Sequence, residues 1–263
     1  MSPDTAVADV LQISRIRILR LLIGCRSPFV PEPTTYDSAS FQRALPPALL
    51  GMTAVTGLVD AVSFLSLGHV FTANMTGNVV FIAFALTGVS DLSALRSLAA
   101  LAAFLAGAAL GGRLLAREGS AAQLRATLTT FVLELVLLAA AAVAAIGHRA
   151  ALLASAPRAY VLIGLTALAM GIRNASVRKL AVPDLTTTVL TLTITGLAAD
   201  STLAGGKNPR WQRRVGSIVA MFGGAAVGAV LVRRSIAAPL FLACLASSAC
   251  SLALRLSVRA SRA

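Results

Sequence analysis

The sequence predicts an all-α, polytopic transmembrane helix bundle of about eight spans, built as two four-helix repeats. Of the 263 residues, 57% are hydrophobic and 13% charged, against roughly 45–50% and about 25% in soluble domains. The apolar residues fall in long blocks separated by short Arg-rich or Pro/Gly-rich breaks. Most blocks reach the roughly 20 residues that cross about 30 Å of hydrocarbon as helix. The chain also resembles itself at an offset of about 115 residues.

Residues 1–43 read as a basic, Pro-containing tail, with Arg15, Arg17 and Arg20 among Leu and Ile and a Pro-rich stretch from Pro28 to Pro33. Residues 10–23 are either a short amphipathic helix on the inner leaflet or a disordered extension. They carry too many arginines for the apolar core of a signal peptide. Spans are expected near 45–67, 70–89, 92–115, 124–146, 159–180, 185–204, 213–232 and 236–256. They give a first repeat over 44–150, a second over 151–258 and a basic tail over 259–263. No ten-residue segments alternate with period two, as a membrane barrel requires, so helices are the spanning element.

The repeat is clearest where Gly107, Ala108, Ala109, Gly111, Leu114 and Arg117 match Gly224, Ala225, Ala226, Gly228, Leu231 and Arg234 at an offset of 117. Gly57, Asp60 and Ala61 match Gly171, Asn174 and Ala175 at 114; Thr72 meets Thr186, and Thr76 meets Thr191 after one insertion. Four helices per copy set both halves in the same direction, with the pseudo-symmetry axis along the membrane normal; three per copy would invert the second half.

The net charge of +13 raises nucleic acid as a partner. Most of that charge flanks apolar spans, so the lipid bilayer and its anionic headgroups account for it, and nucleic acid is excluded. With eight spans and the N-terminus inside, the inner side carries 15 Lys and Arg and the outer side 8. Both termini are therefore expected in the cytoplasm of a bacterial cell, the protein lying multi-pass in its inner membrane. Gly88 and Asn208 are expected inside and Gly119 outside.

Intramembrane polar groups are costly and default to a functional hypothesis. Asp60 lies in the body of the first span, and Asn74 and Asn78 share one face of the next helix, with Thr72 and Thr76 beside it. The break at Gly68-His69 implies either a sharp turn or a discontinuous helix. Glu134 and Arg173 are further charges inside spans, and with Asp60 they suit a buried cluster, as a structural pair or as a proton- or ion-coupling site. Asn174, Thr188 and Thr191 are the second-copy polar groups, expected inward beside Asp60, Asn74, Thr76 and Asn78 at the boundary of the halves. Thr187, Thr191 and Thr195 form one hydroxyl face, although such hydroxyls often bond the carbonyl four residues back. For Asn74, Thr76 and Asn78, interhelical bonding and solute binding both remain open. Gly107 with Gly111, and Gly224 with Gly228, are expected to be close helix-packing surfaces.

Cys25, Cys244 and Cys250 lack metal-ligand spacing and read as small apolar residues. No hydrolase elbow, metalloprotease helix or phosphate loop occurs, and His69 and His148 are the chain's two histidines. No enzyme, cofactor or metal is expected. The favoured activity is secondary transport or channel conduction of a small solute, with a proton as a candidate co-substrate. A non-transporting scaffold or sensor is the alternative.

The run Gly57-Leu-Val-Asp60-Ala61, followed by Val70-Phe-Thr-Ala-Asn74-Met-Thr76-Gly77-Asn78, resembles the hallmark of the YoaK family of bacterial inner-membrane proteins. The likeness extends to Gly171-Ile-Arg-Asn174-Ala175 and the threonines from Thr186 to Thr191, and covers about 45–256. It departs at Leu192, where the family's second-copy run has glycine. The resemblance implies localisation and architecture but no substrate, since the family has no assigned activity.

Overall fold

The computed structural model describes residues 39–89, 91–116, 120–147, 157–180 and 190–260. The helices are α1 (Ala39–Ser66), α2 (Met75–Leu86), α3 (Ala94–Leu114), α4 (Ser120–Ala144), α5 (Pro157–Leu180), α6 (Leu190–Ala199), α7 (Trp211–Val232) and α8 (Ala237–Ala260), with a 3-10 turn at Thr202–Ala204. Among the described residues no strand occurs, and six helices (α1, α3, α4, α5, α7 and α8) are long and apolar enough to cross a membrane. The 12 residues of α2 reach only about 18 Å, and α6 has 10 residues.

Three buried clusters fix the direction of α1, α4, α5 and α8, and the glycine contacts fix that of α3 along α5 and of α7 along α1. At the end where α1 begins, here the proximal side, Leu45, Leu49 and Met52 pack with Phe131 of α4, Val177 and Leu180 of α5, and Leu254 of α8. In the middle, Val55, Leu58 and Val59 meet Leu138, Met170, Ala243 and Ala73. On the distal side, Val62 and Leu67 meet Ala100 of α3, Ala145 of α4, Leu162 of α5, Val232 of α7 and Leu240 of α8. Thus α1, α4 and α7 run from proximal to distal, and α3, α5 and α8 run back.

The chain therefore leaves α1 and enters α3 on the same side, which corrects the expectation of eight full spans. Between them, residues 67–74 dip from the distal side to Ala73 in the middle cluster, and α2 climbs back. Its Phe81 ring lies 6.3 Å from Phe64 and 5.7 Å from Phe71, near the distal end of α1. This is a re-entrant hairpin. The two helices α1 and α5 are antiparallel, where the expected parallel halves would have set them in the same direction. The physical reason is length: the 12 residues of α2 rise about 18 Å, enough to return from the middle cluster to the distal end but not to cross the full membrane.

The core is a four-helix centre of α1, α4, α5 and α8. Outside it, α7 packs along α1 and α3 along α5. Both outer pairs are parallel and depend on glycine: a Cβ on Gly107 would collide with the carbonyl of Leu168, and one on Gly224 with the carbonyl of Ala54. Backbones this close require small residues on both helices.

Candidate functional site

Asp60 sits six residues before the end of α1, where the hairpin reaches its deepest point. It is 3% exposed. Its Oδ1 accepts the Ala73 N–H at 3.1 Å, and its Oδ2 accepts the Asn74 side-chain amide. Asn74 is the residue before the first turn of α2, so the carboxylate stands at a helix N-terminus, where the backbone dipole favours negative charge. Asn78, fully buried, grips the descending irregular segment. Its Oδ1 accepts the Phe71 N–H at 2.9 Å, and its Nδ2 donates to the Phe71 carbonyl at 2.6 Å.

These three side chains explain why irregular backbone persists at this depth, since non-helical peptide groups inside a membrane must be satisfied by protein or water. The turn itself uses Gly68 at φ +88° and His69 at φ +54°; a Cβ on Gly68 would collide with the Arg96 guanidinium. Phe64, Phe71 and Phe81 stack beside it, and His69 meets Phe64 edge-on with centroids 5.1 Å apart.

The second polar centre is the Glu134–Arg173 pair, both side chains 0% exposed. Arg173 Nε donates to Glu134 Oε2 at 2.9 Å, and Nη2 donates to Oε1. Its Nη1 donates to the Met52 carbonyl at 2.8 Å and to Thr56 Oγ1 at 2.9 Å, and Ser247 Oγ donates to Glu134 Oε1 at 3.0 Å. One guanidinium thereby ties α5 to α1 and α4, and Ser247 adds α8.

On the proximal side, Arg214 at the start of α7 is buried. It donates to the Gly196 carbonyl of α6 and pairs with Asp200 at 2.7 Å.

Of the expected cluster, Glu134 and Arg173 are joined, while Asp60 is engaged by the hairpin. Asn74 is half-buried and Asn78 buried, but Thr76 is exposed, which corrects its inward placement. Residues two apart on a helix stand about 200° apart, so a face that buries Asn78 turns Thr76 outward. The same geometry corrects Thr191, which is exposed together with Thr195, while Thr193 is buried. Asn174 is half-buried and donates to the Met170 carbonyl at 2.8 Å. Thr188, Thr187, His148, Cys25, Gly119 and the tail segment 10–23 lie outside the described residues. Gly107, Gly111, Gly224 and Gly228 are buried on the α3–α5 and α7–α1 contacts. Leu192 is exposed, whereas Gly77, its first-copy counterpart, lies under the Phe71 ring.

The sequence reading missed Thr56, Ser247 and the Met52 carbonyl as partners of Arg173, and the Arg214–Asp200 pair. Hydroxyls within apolar spans were the available signal for the first two. A carbonyl acceptor leaves no trace in sequence. Among the described residues no group of three His, Cys, Asp or Glu has metal-site geometry.

Apolar crossing helices, a re-entrant hairpin and a buried ion pair define a multi-pass helical membrane protein. Residues 48–253 match the family described as "Protein of unknown function (DUF1275)", and the chain belongs to that family. It is 33% identical over 153 residues to the UPF0700 transmembrane protein YoaK of Bacillus subtilis (strain 168), a match covering 58% of this chain and 64% of the relative. The family resemblance read from Asp60 to Asn78 is thus shown. No solved structure matches.

Proposed function

We propose that the protein is a transporter or channel for a small solute, not an enzyme, and that it is made of two inverted repeats over 44–150 and 151–258. Each repeat comprises three crossing helices and one re-entrant segment. The observation that carries this reading is the hairpin whose helix N-terminus opens on Asp60 in the middle of the bundle. Broken helices ending at the midplane of inverted repeats are how many secondary transporters bind substrates and ions.

Support for the repeat comes from the glycine contacts. Gly57 lies against Met221 and Ala225, as Gly171 lies against Phe104 and Ala108. Ala54 faces Gly224 as Leu168 faces Gly107, and Leu58 and Ala61 face Gly228 as Ile172 and Ala175 face Gly111. Every α1 residue is related to its α5 counterpart by 114 positions, and every α3 residue to its α7 counterpart by 117. Unrelated small-residue contacts have no reason to keep both offsets.

The proximal side is read as cytoplasmic. Among the described residues, Arg96, Arg158, Arg233 and Arg234 flank distal helix ends, and the other Lys and Arg except Arg173 belong to proximal ends. That asymmetry is stronger than under eight spans and follows the positive-inside rule, with both termini in the cytoplasm of a bacterial cell.

A scaffold or sensor is the second reading, favoured by the full set of partners around Arg173, which suits a rigid centre. Purified protein in liposomes, assayed with a panel of small solutes and an imposed proton gradient, separates the two. Flux of one solute class that falls in folded Asp60→Asn supports transport. No flux of any solute from folded protein supports the scaffold.

A further inference from the structure

The buried charges of the four-helix core do not balance. Among the described residues, Arg173 is neutralised by Glu134 at hydrogen-bond distance, which leaves the Asp60 carboxylate as the remaining formal charge of the buried centre. Its hydrogen-bond partners are neutral: the Thr72 and Ala73 N–H groups and the Asn74 amide. The N-terminus of α2 contributes only about half an elementary charge of the opposite sign. Charges at this depth are sustained by pairing, by a bound cation or by a proton.

We propose that Asp60 is a proton-binding site, and that Asn74 is the side chain that responds to whether the proton is present. The proposal rests on the transport reading only in making that proton the coupling ion. Both carboxylate oxygens already face N–H donors, which turn positive hydrogens toward the space a metal cation would need. A hard metal cation also requires six or more oxygen ligands, whereas a proton needs one lone pair.

Asn74 is suited to both states because its amide carries donors and an acceptor. With Asp60 ionised, Nδ2 donates to Oδ2. With a proton taken from solvent onto Oδ2, the carboxylic O–H donates to Asn74 Oδ1 after the amide turns over, and Ala73 N–H continues to donate to Oδ1 of Asp60. The hairpin keeps its hydrogen bonds, but the negative charge at the mouth of α2 is gone, so loading loosens the electrostatic hold on the re-entrant helix. The other charged or titratable groups on the elements packed around α1 and the hairpin are Glu134 on α4 and Arg173 on α5, which hold each other, Cys244 and Cys250 on α8, Arg96 on α3 over Gly68, and exposed His69 in the turn.

The test is pH-difference infrared spectroscopy of the full chain in lipid nanodiscs, with and without carboxyl-13C aspartate. The expected result is a carboxylic C=O band that titrates, moves with the label, disappears in Asp60→Asn and persists in Glu134→Gln. In Asn74→Ala its midpoint should move by at least about one pH unit. If Asp60→Asn does not fold, the labelled wild type and Asn74→Ala carry the test. Absence of a label-sensitive titrating band, an unmoved midpoint in Asn74→Ala, or a band removed by sodium and kept by choline at constant pH would overturn the proposal. The readout needs no solute, so absent flux with an intact band counts against transport alone, and flux without the band counts against the proton site alone.

Discussion

Replacing Arg173 by Leu removes four hydrogen bonds at once: two to Glu134, one to the Met52 carbonyl and one to Thr56. Glu134 is left wholly buried with the Ser247 hydroxyl as its donor. Breaking a buried pair from one side typically costs about 3–5 kcal/mol because the remaining charge is uncompensated, against a total stability of roughly 5–15 kcal/mol. At about 2–4 °C per kcal/mol for a chain of this size, the apparent midpoint should fall by roughly 6–20 °C. The companion Arg173→Leu/Glu134→Leu removes both charges, and replacing a buried pair by apolar side chains is often neutral or stabilising. Its midpoint should recover most of the loss. The assay is thermal unfolding in detergent followed by the fluorescence of Trp211, the chain's one tryptophan. A single variant within about 1 kcal/mol of wild type, or a double variant as poor as the single, would refute the claim that Glu134 is held by Arg173.

Gly107→Leu should abolish correct packing of α3 on α5, since even a Cβ there collides with the Leu168 backbone, while Gly112→Leu, with nothing within 4 Å, should be nearly neutral; monodispersity after size-exclusion chromatography separates them. Asn78→Ala orphans both the N–H and the carbonyl of Phe71, at about 1–3 kcal/mol each. It should increase proteolysis or hydrogen exchange selectively within 67–86, and protection equal to wild type there would contradict the assigned clamp.

Composition and block length were enough to read the helical membrane class, and the positions of α1, α3, α4, α5, α7 and α8 follow the apolar blocks closely. The hairpin was only half legible. Gly68-His69 marked the break, and Asp60, Asn74 and Asn78 marked the site, but the block at 70–89 is as apolar as a span. What makes it re-entrant is that Asp60 lies thirteen residues before Ala73 and bonds its N–H, a pairing across a turn that hydropathy does not encode. Reading 70–89 as a span set the two halves parallel, whereas the offsets of 114 and 117 read from the sequence support the inverted repeat proposed above. Thr76 and Thr191 were misjudged because polar character was taken as burial in helices too short to bury both faces.

The most direct measurement of the central claim is sidedness of labelling in intact bacteria, with Cys25, Cys244 and Cys250 replaced and single cysteines introduced by Asp91→Cys and Lys207→Cys, both at exposed positions. The proposed inverted repeats, with the proximal side in the cytoplasm, predict that Asp91→Cys reacts with an impermeant maleimide from outside and that Lys207→Cys reacts only after the membrane is opened. Labelling of both positions from the same side would contradict the inverted six-span architecture and restore eight parallel-repeat crossings.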